Sequence, residues 1–239
     1  MGSGRLPGKS LMDVEGAPML SRLVERVSKA RSLDRIVIAT TTLPEDDPLE
    51  SLSEGLSVGC FRGSSEDVLD RVKSAAMADG ASRIVTILGD NPLVHADLID
   101  DTIAVFDEGN FDYAASVTTE YPSAGPDIQK FPIGVRVQVF PLEALERADA
   151  LTREHGNRGD ATEFIWSNPD LFRLGFLEAT EEWAPVAAPT LHFAVNYAKN
   201  LELLRELFRE LYPGDRDFSL HAVIDVVLRR KELLGLMGG

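Results

Sequence analysis

Two cations framed by glycines open the chain: the run Gly2-Ser3-Gly4-Arg5-Leu6-Pro7-Gly8-Lys9 sets Arg5 and Lys9 four residues apart. Glycine lets backbone N–H groups approach phosphate oxygens as an anion nest, and the two cations supply charge where a triphosphate accumulates it. A flexible terminus or an expression tag has the same composition. A second stretch, Leu88-Gly89-Asp90-Asn91-Pro92-Leu93, directly follows an apolar run. A carboxylate at the carboxyl end of a parallel strand lies where α/β sheets bind ligands, and Mg2+ prefers one or two carboxylates with phosphate oxygens completing its shell. Asp90 is equally placed to cap the helix that follows. The four histidines, at positions 95, 155, 192 and 221, form no close pair and no triad in sequence.

The elements that must position these groups read as alternating strands and helices. Residues 35–40 (RIVIAT) and 83–88 (RIVTIL) are short, β-branched runs without alternation, the pattern of parallel strands covered on both faces. Between them residues 64–79 read as a helix, with Ser64 and Asp67 in capping-box spacing and Val68, Val72 and Ala75 on one face. Helices are also expected at 18–31 and 97–107, which makes the pattern α/β and doubly wound. Residues 112–117 read as a strand, 120–132 as a Pro- and Gly-rich polar loop, and 134–140 (GVRVQVF) as an alternating antiparallel or edge strand. Beyond them come helices at 142–150 and 161–168, a strand at 190–195, and amphipathic helices at 197–211 and 219–231.

At 239 residues the chain is long enough for one substantial core, so a single domain over 1–239 is expected, with a substrate-facing insertion at about 118–140. No stretch approaches the roughly 18 consecutive apolar residues of a membrane span, and the first residues lack a signal-peptide apolar run, which points to a cytoplasmic protein. Asp and Glu outnumber Lys and Arg by 39 to 24, for a formal charge of −15, so neither nucleic acid nor an anionic membrane is the expected partner. The single cysteine, Cys60, has no Cys or His at metal-ligand spacing and reads as a buried thiol.

GSGRLPGKSL at 2–11, GAPML at 16–20, IVIATTTLPEDDPL at 36–49, FRGSSEDVLDR at 61–71, ILGDNPL at 87–93, VQVFPLEALERA at 137–148, NPDLFRLG at 168–175 and AVNYAKNLELL at 194–204 run in order along nearly the whole chain. In them the sequence resembles the cytidylyltransferase-like enzymes of the spore coat polysaccharide biosynthesis type, relatives of the synthetases of CMP-activated sialic acids and Kdo. The resemblance implies the nucleotide-diphospho-sugar transferase fold, Rossmann-like with a mostly parallel sheet. It assigns Gly2, Ser3, Gly4, Arg5 and Lys9 to the triphosphate, Asp90 to Mg2+, and Ala39, Thr40, Thr41, Arg62, Gly63 and Ser64 to the nucleotide's base side. Arg5, Lys9 and Asp90 become the catalytic set, because in-line displacement at the α-phosphate needs positioning and charge neutralisation and no dedicated nucleophile. For Thr40 and Thr41 strand-end capping is the alternative, and for Arg62 solvation or pairing with Glu66 or Asp67.

Departures from the pattern matter as much. Where relatives read Thr-Val-Asp, this chain has Ala194-Val195-Asn196, so Asn196 would give the metal a neutral carbonyl ligand, unless it caps the next helix. Before VF, where relatives with a sugar-acid substrate often carry acids, Gly134 is followed by Arg136 and Gln138 on one strand face, suited to an acceptor's carboxylate or phosphate or else simply exposed. The segment 158–163 aligns without a gap to the relatives' Arg-Glu-His stretch and puts Asp160 at the His, so no catalytic histidine is carried over. Relatives place an apolar strand and Gln-Ala-Arg ahead of the Met-Gly-Ser with which this sequence begins, so the first strand of the fold is expected to be missing. These readings predict a nucleotidyltransferase moving a nucleotide, CMP from CTP first of all, onto a sugar or sugar acid in surface polysaccharide or glycan biosynthesis, with Mg2+ on Asp90 and Asn196. A homodimer through the central insertion is implied by the resemblance. A sugar 1-phosphate nucleotidyltransferase and a non-catalytic sugar-nucleotide-binding or assembly subunit are the alternatives. A dehydrogenase is disfavoured because GSGRLPG breaks the GxGxxG spacing.

Overall fold

The computed structural model describes residues 4–152 and 158–238. After a short 3-10 turn at Lys9–Leu11, strands β1 (Asp13–Val14) and β2 (Ala17–Pro18) form a minimal hairpin. Its turn has φ of 50° at Glu15 and 84° at Gly16, the double left-handed geometry that matches strand twist. Helix α1 (Met19–Val27) follows directly, burying Met19, Leu20, Leu23, Val24 and Val27. Then come β3 (Val37–Thr41), α2 (Asp47–Leu56), β4 (Gly59–Gly63), α3 (Val68–Asp79), β5 (Arg83–Ile87), α4 (Ala96–Glu108) and β6 (Tyr113–Ser116). The second half contains β7 (Val137–Pro141), α5 (Leu142–Leu151), α6 (Glu163–Trp166), β8 (Leu174–Leu177), α7 (Ala198–Leu211) and α8 (Leu220–Arg229).

The strands make two sheets besides the hairpin. β3 and β4 pair in parallel, with Thr41 opposite Gly63, and β5-β7-β6-β8 form a four-stranded sheet. In that sheet β6 and β8 are parallel, while β7 runs antiparallel to both β5 and β6. Side chains alternate to opposite faces. Val137 and Val139 join a core with α1, α4, α7 and α8, whereas Tyr113, Ala115 and Phe140 join a second core with α5 and α6. Helices thus cover both faces, the doubly wound α/β arrangement expected. Among the described residues no helix is long and apolar enough to cross a membrane.

Several elements differ from the sequence reading for identifiable reasons. Helix α3 is capped by Asp67, which accepts from the Asp70 amide, while Ser64 Oγ accepts from the Glu66 and Asp67 amides in the turn before it. The alternating segment 134–140 contributes an interior strand, not an edge: β7 has a partner on each side and buries all of residues 137–140. Residues 190–195 form one isolated bridge, Ile133 to His192, in place of a strand. β4, β8 and α2 lack a strong period in sequence; for β4 and β8 the parallel partners β3 and β6 supply the order.

Candidate active site

The glycine-rich loop turns on Gly8, which has φ of 72° and begins the 3-10 turn of Lys9–Leu11. A side chain at Gly8 would be strained in that left-handed conformation. Gly4, by contrast, has open space around it. Two segments from elsewhere in the chain meet this loop. Lys9 Nζ lies 3.0 Å from Asp90 Oδ2 and donates a 2.8 Å hydrogen bond to the Val195 carbonyl. The Arg5 guanidinium sits 5.7 Å from the centre of the Tyr197 ring, within cation–π range. The Val195 amide donates to the Asp90 carbonyl at 2.9 Å, so backbone pairing locks the two acceptor segments together.

Asp90 occupies the turn after β5 and does not cap α4: that role falls to His95, whose Nδ1 accepts from the Asp97 amide. Asn196 does not cap α7 either. Asn200 Oδ1 reaches back to accept from the Asn196 and Tyr197 amides, at 3.1 and 2.9 Å, and the Asn196 side chain has no hydrogen-bond partner among the described residues. Both residues are therefore left free of the structural roles the sequence allowed them. Gly2 and Ser3 lie outside the described residues.

The donor set can be tested for Mg2+. No cluster of three or more His, Cys, Asp or Glu suited to a metal exists among the described residues. One carboxylate at Asp90, the adjacent Val195 carbonyl and the neutral Asn196 amide make a sparse set, which fits an ion that keeps most of its shell for phosphate oxygens and water. That a cation, the Lys9 ammonium, already rests between Asp90 and Val195 shows that this position favours positive charge.

The residues expected to face the base gather toward the carboxyl ends of β3 and β4. Asp46 organises them: its Oδ2 accepts from Thr40 Oγ1 at 2.7 Å, Thr41 N at 3.1 Å and Thr41 Oγ1 at 2.5 Å. Burial alone would raise this carboxyl, but the hydrogen bonds, including those from both threonines, outweigh it and hold it well below the usual carboxylate range. Arg62 pairs with Asp47 and Glu50 on α2, not with Glu66 or Asp67, and donates to the Thr41 and Leu43 carbonyls. The side chains of Thr40, Thr41, Arg62 and Ser64 are thus occupied within the fold, and Ala39 is half-buried in β3. At Gly63 a Cβ would press on Phe61 and Arg71 at 2.9 Å.

The third group is buried rather than exposed. Gln138 is held on every side: its Nε2 donates to Tyr113 Oη and Thr162 Oγ1 at 2.8 and 2.7 Å, and its Oε1 accepts from Thr86 Oγ1 at 3.0 Å. Burial pushes both neighbouring phenols up, Tyr121 to about 12, so Tyr113 and Tyr121 remain neutral and share a 2.7 Å hydrogen bond. Arg136 is balanced by Asp160 at 3.3 Å and Glu120 at 3.7 Å, and among the described residues its Nε has no partner. An exposed strand face is therefore ruled out for both. Gly134, at φ of 95°, abuts the other chain segment so closely that a Cβ would fall 2.1 Å from the Ala194 amide nitrogen, which makes it the backbone rest for 194–196. Asp160 caps its own turn by accepting from the Thr162 amide and hydroxyl.

Two further residues shape the site without having stood out in sequence. Arg26, on the buried face of α1, donates to the carbonyls of Leu93, Val94 and Phe218, tying α1 to the loop after Asp90. Burial lowers its pKa to about 10, still leaving it charged at neutral pH. Its signal was a cation in phase with Leu23 and Val27. Asn200, whose amide also donates to the Leu236 and Gly238 carbonyls, carried no signal beyond following a helix start by a few residues.

Comparison with known proteins identifies the family. Residues 1–126 match the cytidylyltransferase family. The chain is 32% identical over 240 residues to the spore coat polysaccharide biosynthesis protein SpsF of Bacillus subtilis, covering 97% of this chain and 92% of that protein. It is 36% identical over 104 residues to the 3-deoxy-manno-octulosonate cytidylyltransferase of Geobacter sulfurreducens, a match covering 43% of this chain and 40% of the relative. The structure of a cytidylyltransferase from Leptospira borgpetersenii superposes with a TM-score of 0.86 at 22% identity, covering 98% of this chain and 92% of that one. With a fold of nucleotidyltransferase type, and a glycine turn, a lysine and a strand-end aspartate brought together on it, the chain belongs to the cytidylyltransferase family and is a nucleotidyltransferase.

Proposed function

We propose that the chain transfers CMP from CTP to a hydroxyl of a sugar or sugar acid, in the making of a surface polysaccharide or related glycan. The observation that carries this reading is the meeting of Lys9, Asp90 and Val195, which joins the glycine turn to the strand-end carboxylate. The acceptor hydroxyl oxygen would form a bond to the α-phosphorus as the bond to the β-phosphate oxygen breaks; pyrophosphate leaves with the electron pair and the hydroxyl proton passes to solvent water. Arg5 and Lys9 supply the charge that holds the leaving β- and γ-phosphates, and the backbone of the loop from Gly4 to Gly8 positions them. Mg2+, held by Asp90 with Asn196 beside it, would supply neutralisation of the triphosphate oxygens. Ala39, Thr40, Thr41, Arg62, Gly63 and Ser64 form the rim for the base. With their side chains occupied, the backbone there and the outer edge of the rim are what remain to read it. Arg136, with Gly134 and Gln138, frames the acceptor end.

The pairing of Arg136 with Asp160 and Glu120 leaves its guanidinium less free for a carboxylate and a phosphate alike, so it does not choose between a sugar acid and the sugar 1-phosphate alternative, which Asn196 also favours. Pyrophosphate release with each of the four nucleoside triphosphates and a panel of sugar-acid acceptors tests the assignment. Release with CTP is expected, together with a loss of about 10²–10³-fold in Asp90→Ala, the scale seen when one electrostatic contact to a transition state is removed. Absence of release with every nucleotide and acceptor would overturn it. A homodimer through 118–140 belongs to the same proposal, and sedimentation of the full chain as a monomer would remove that part alone.

A further inference from the structure

The ammonium between Asp90 and Val195 has a consequence for the order of binding. Lys9 Nζ bridges acceptors 81 and 186 residues away in sequence, at 3.0 and 2.8 Å. Both charged side chains are sheltered, 13% exposed for Lys9 and 22% for Asp90, so water and salt screen the pair little. Asp90 is the sole carboxylate among the candidate ligands, and Lys9 cancels its charge. The neighbouring amide, Asn196, is neutral. Among the described residues, a divalent ion arriving alone therefore finds its one anionic candidate ligand already paired with a cation. A triphosphate changes this, because it offers the ammonium a more anionic partner and brings the remaining oxygens for the metal.

We propose that Lys9 is a tethered cation that keeps the divalent-metal position closed until the nucleoside triphosphate arrives, so that metal and nucleotide enter together. The proposal rests on the reading of Asp90 as the metal's carboxylate. The lysine arm suits such a hand-off: four methylenes and a point charge can swing from a carboxylate to a nearby phosphate while the loop stays fixed on Gly8. Arg5, stacked on Tyr197 at the same corner, gives the incoming phosphates a first cationic contact that does not need Lys9 to move.

Binding of Mn2+ to the full chain, followed by electron paramagnetic resonance without nucleotide, tests it. The native chain is expected to bind Mn2+ weakly, Lys9→Met at least about tenfold more tightly, and Lys9→Arg, which keeps a cation there, no better than the native chain. Adding Asp90→Asn to Lys9→Met should abolish the gain. A Lys9→Met chain no tighter than native, or a gain that survives Asp90→Asn, would overturn the proposal. So would a native chain that, free of nucleotide, already binds Mn2+ through Asp90 as tightly as it does with CTP, a measurement independent of whether any Lys9 variant folds. Failure of the underlying reading shows itself separately: Asp90→Asn would then leave CTP binding in the presence of Mn2+ unchanged.

Discussion

Strands β6 and β7 bury every residue from Tyr113 to Ser116 and from Val137 to Phe140, whereas in the β3–β4 pair only Thr40 is buried to that degree. Apolar content alone does not explain the contrast, since Val37, Ile38 and Phe61 lie in the second group. Pairing does. β6 and β7 each have a strand on both sides, while among the described residues β3 pairs only with β4 and β5 only with β7. The helical cover nevertheless spans both sheets, for α3 touches β3, β4 and α5, and Ile36 and Ile38 pack in the same core cluster as Val85 and Ile87. The helical cover is thus continuous over two sheets that share no strand pairing among the described residues, where β3 and β5 each have one unpaired edge. The two parts of the candidate site divide between these sheets: the base rim rides on β3 and β4, and Asp90 follows β5.

The largest consequence is for stability. Phe140, fully buried and stacked on Tyr113 with ring centres 6.2 Å apart, should cost about 3–5 kcal/mol as Phe140→Ala. Ile38→Ala, from half-buried β3, should cost about 1–2 kcal/mol, because less apolar area leaves water there to begin with. Urea denaturation of the two variants decides the matter, and equal losses would abolish the contrast.

Next in size is the pH dependence of the open pair. The Asp46 carboxyl is held low in the folded chain, so its contribution is fully present above the unfolded carboxylate value of about 3.9 and is lost progressively as pH falls below it. Asp46→Asn should therefore destabilise the chain at pH 7 and flatten its loss of stability between about pH 5 and pH 2. Thermal melts across that range check the sign; a variant whose stability falls as steeply as the native chain's would remove Asp46 as the anchor of the rim.

Much of this arrangement was legible from residues near each other in sequence. The helices α1, α4, α7 and α8 and the strand β5 follow from period and β-branching, and Asp90 from its place after an apolar run. What was not legible depends on partners far along the chain. Arg136 and Gln138 alternate with Val135, Val137 and Val139 just as an exposed face would, yet they are buried and partnered by Asp160, Thr162, Tyr113 and Thr86. Alternation records polarity and cannot tell water from a buried polar network. β4, GCFRG with a glycine at each end, is a strand because β3 pairs with it. The Lys9–Asp90 contact spans 81 residues and has no local signature at all, although each member was identified separately.

The finest test lies within single strands, where β5 serves as its own control. In an antiparallel ladder successive amides point alternately toward opposite neighbours, so along β5 every second N–H faces β7 and the others face the open edge. Native-state hydrogen exchange should then alternate with a period of two along Arg83–Ile87, the open-edge amides exchanging about tenfold or more faster because they need no opening to meet water. β3 should show the same alternation, since β4 occupies only one of its sides. β6 and β7, bonded on both sides, should show none where their ladders overlap, at Ala114, Ala115, Gln138 and Val139. Uniform slow exchange along β5 would mean that its second edge is closed by some other hydrogen-bond partner, and the burial difference between the two sheets would then need a cause other than pairing.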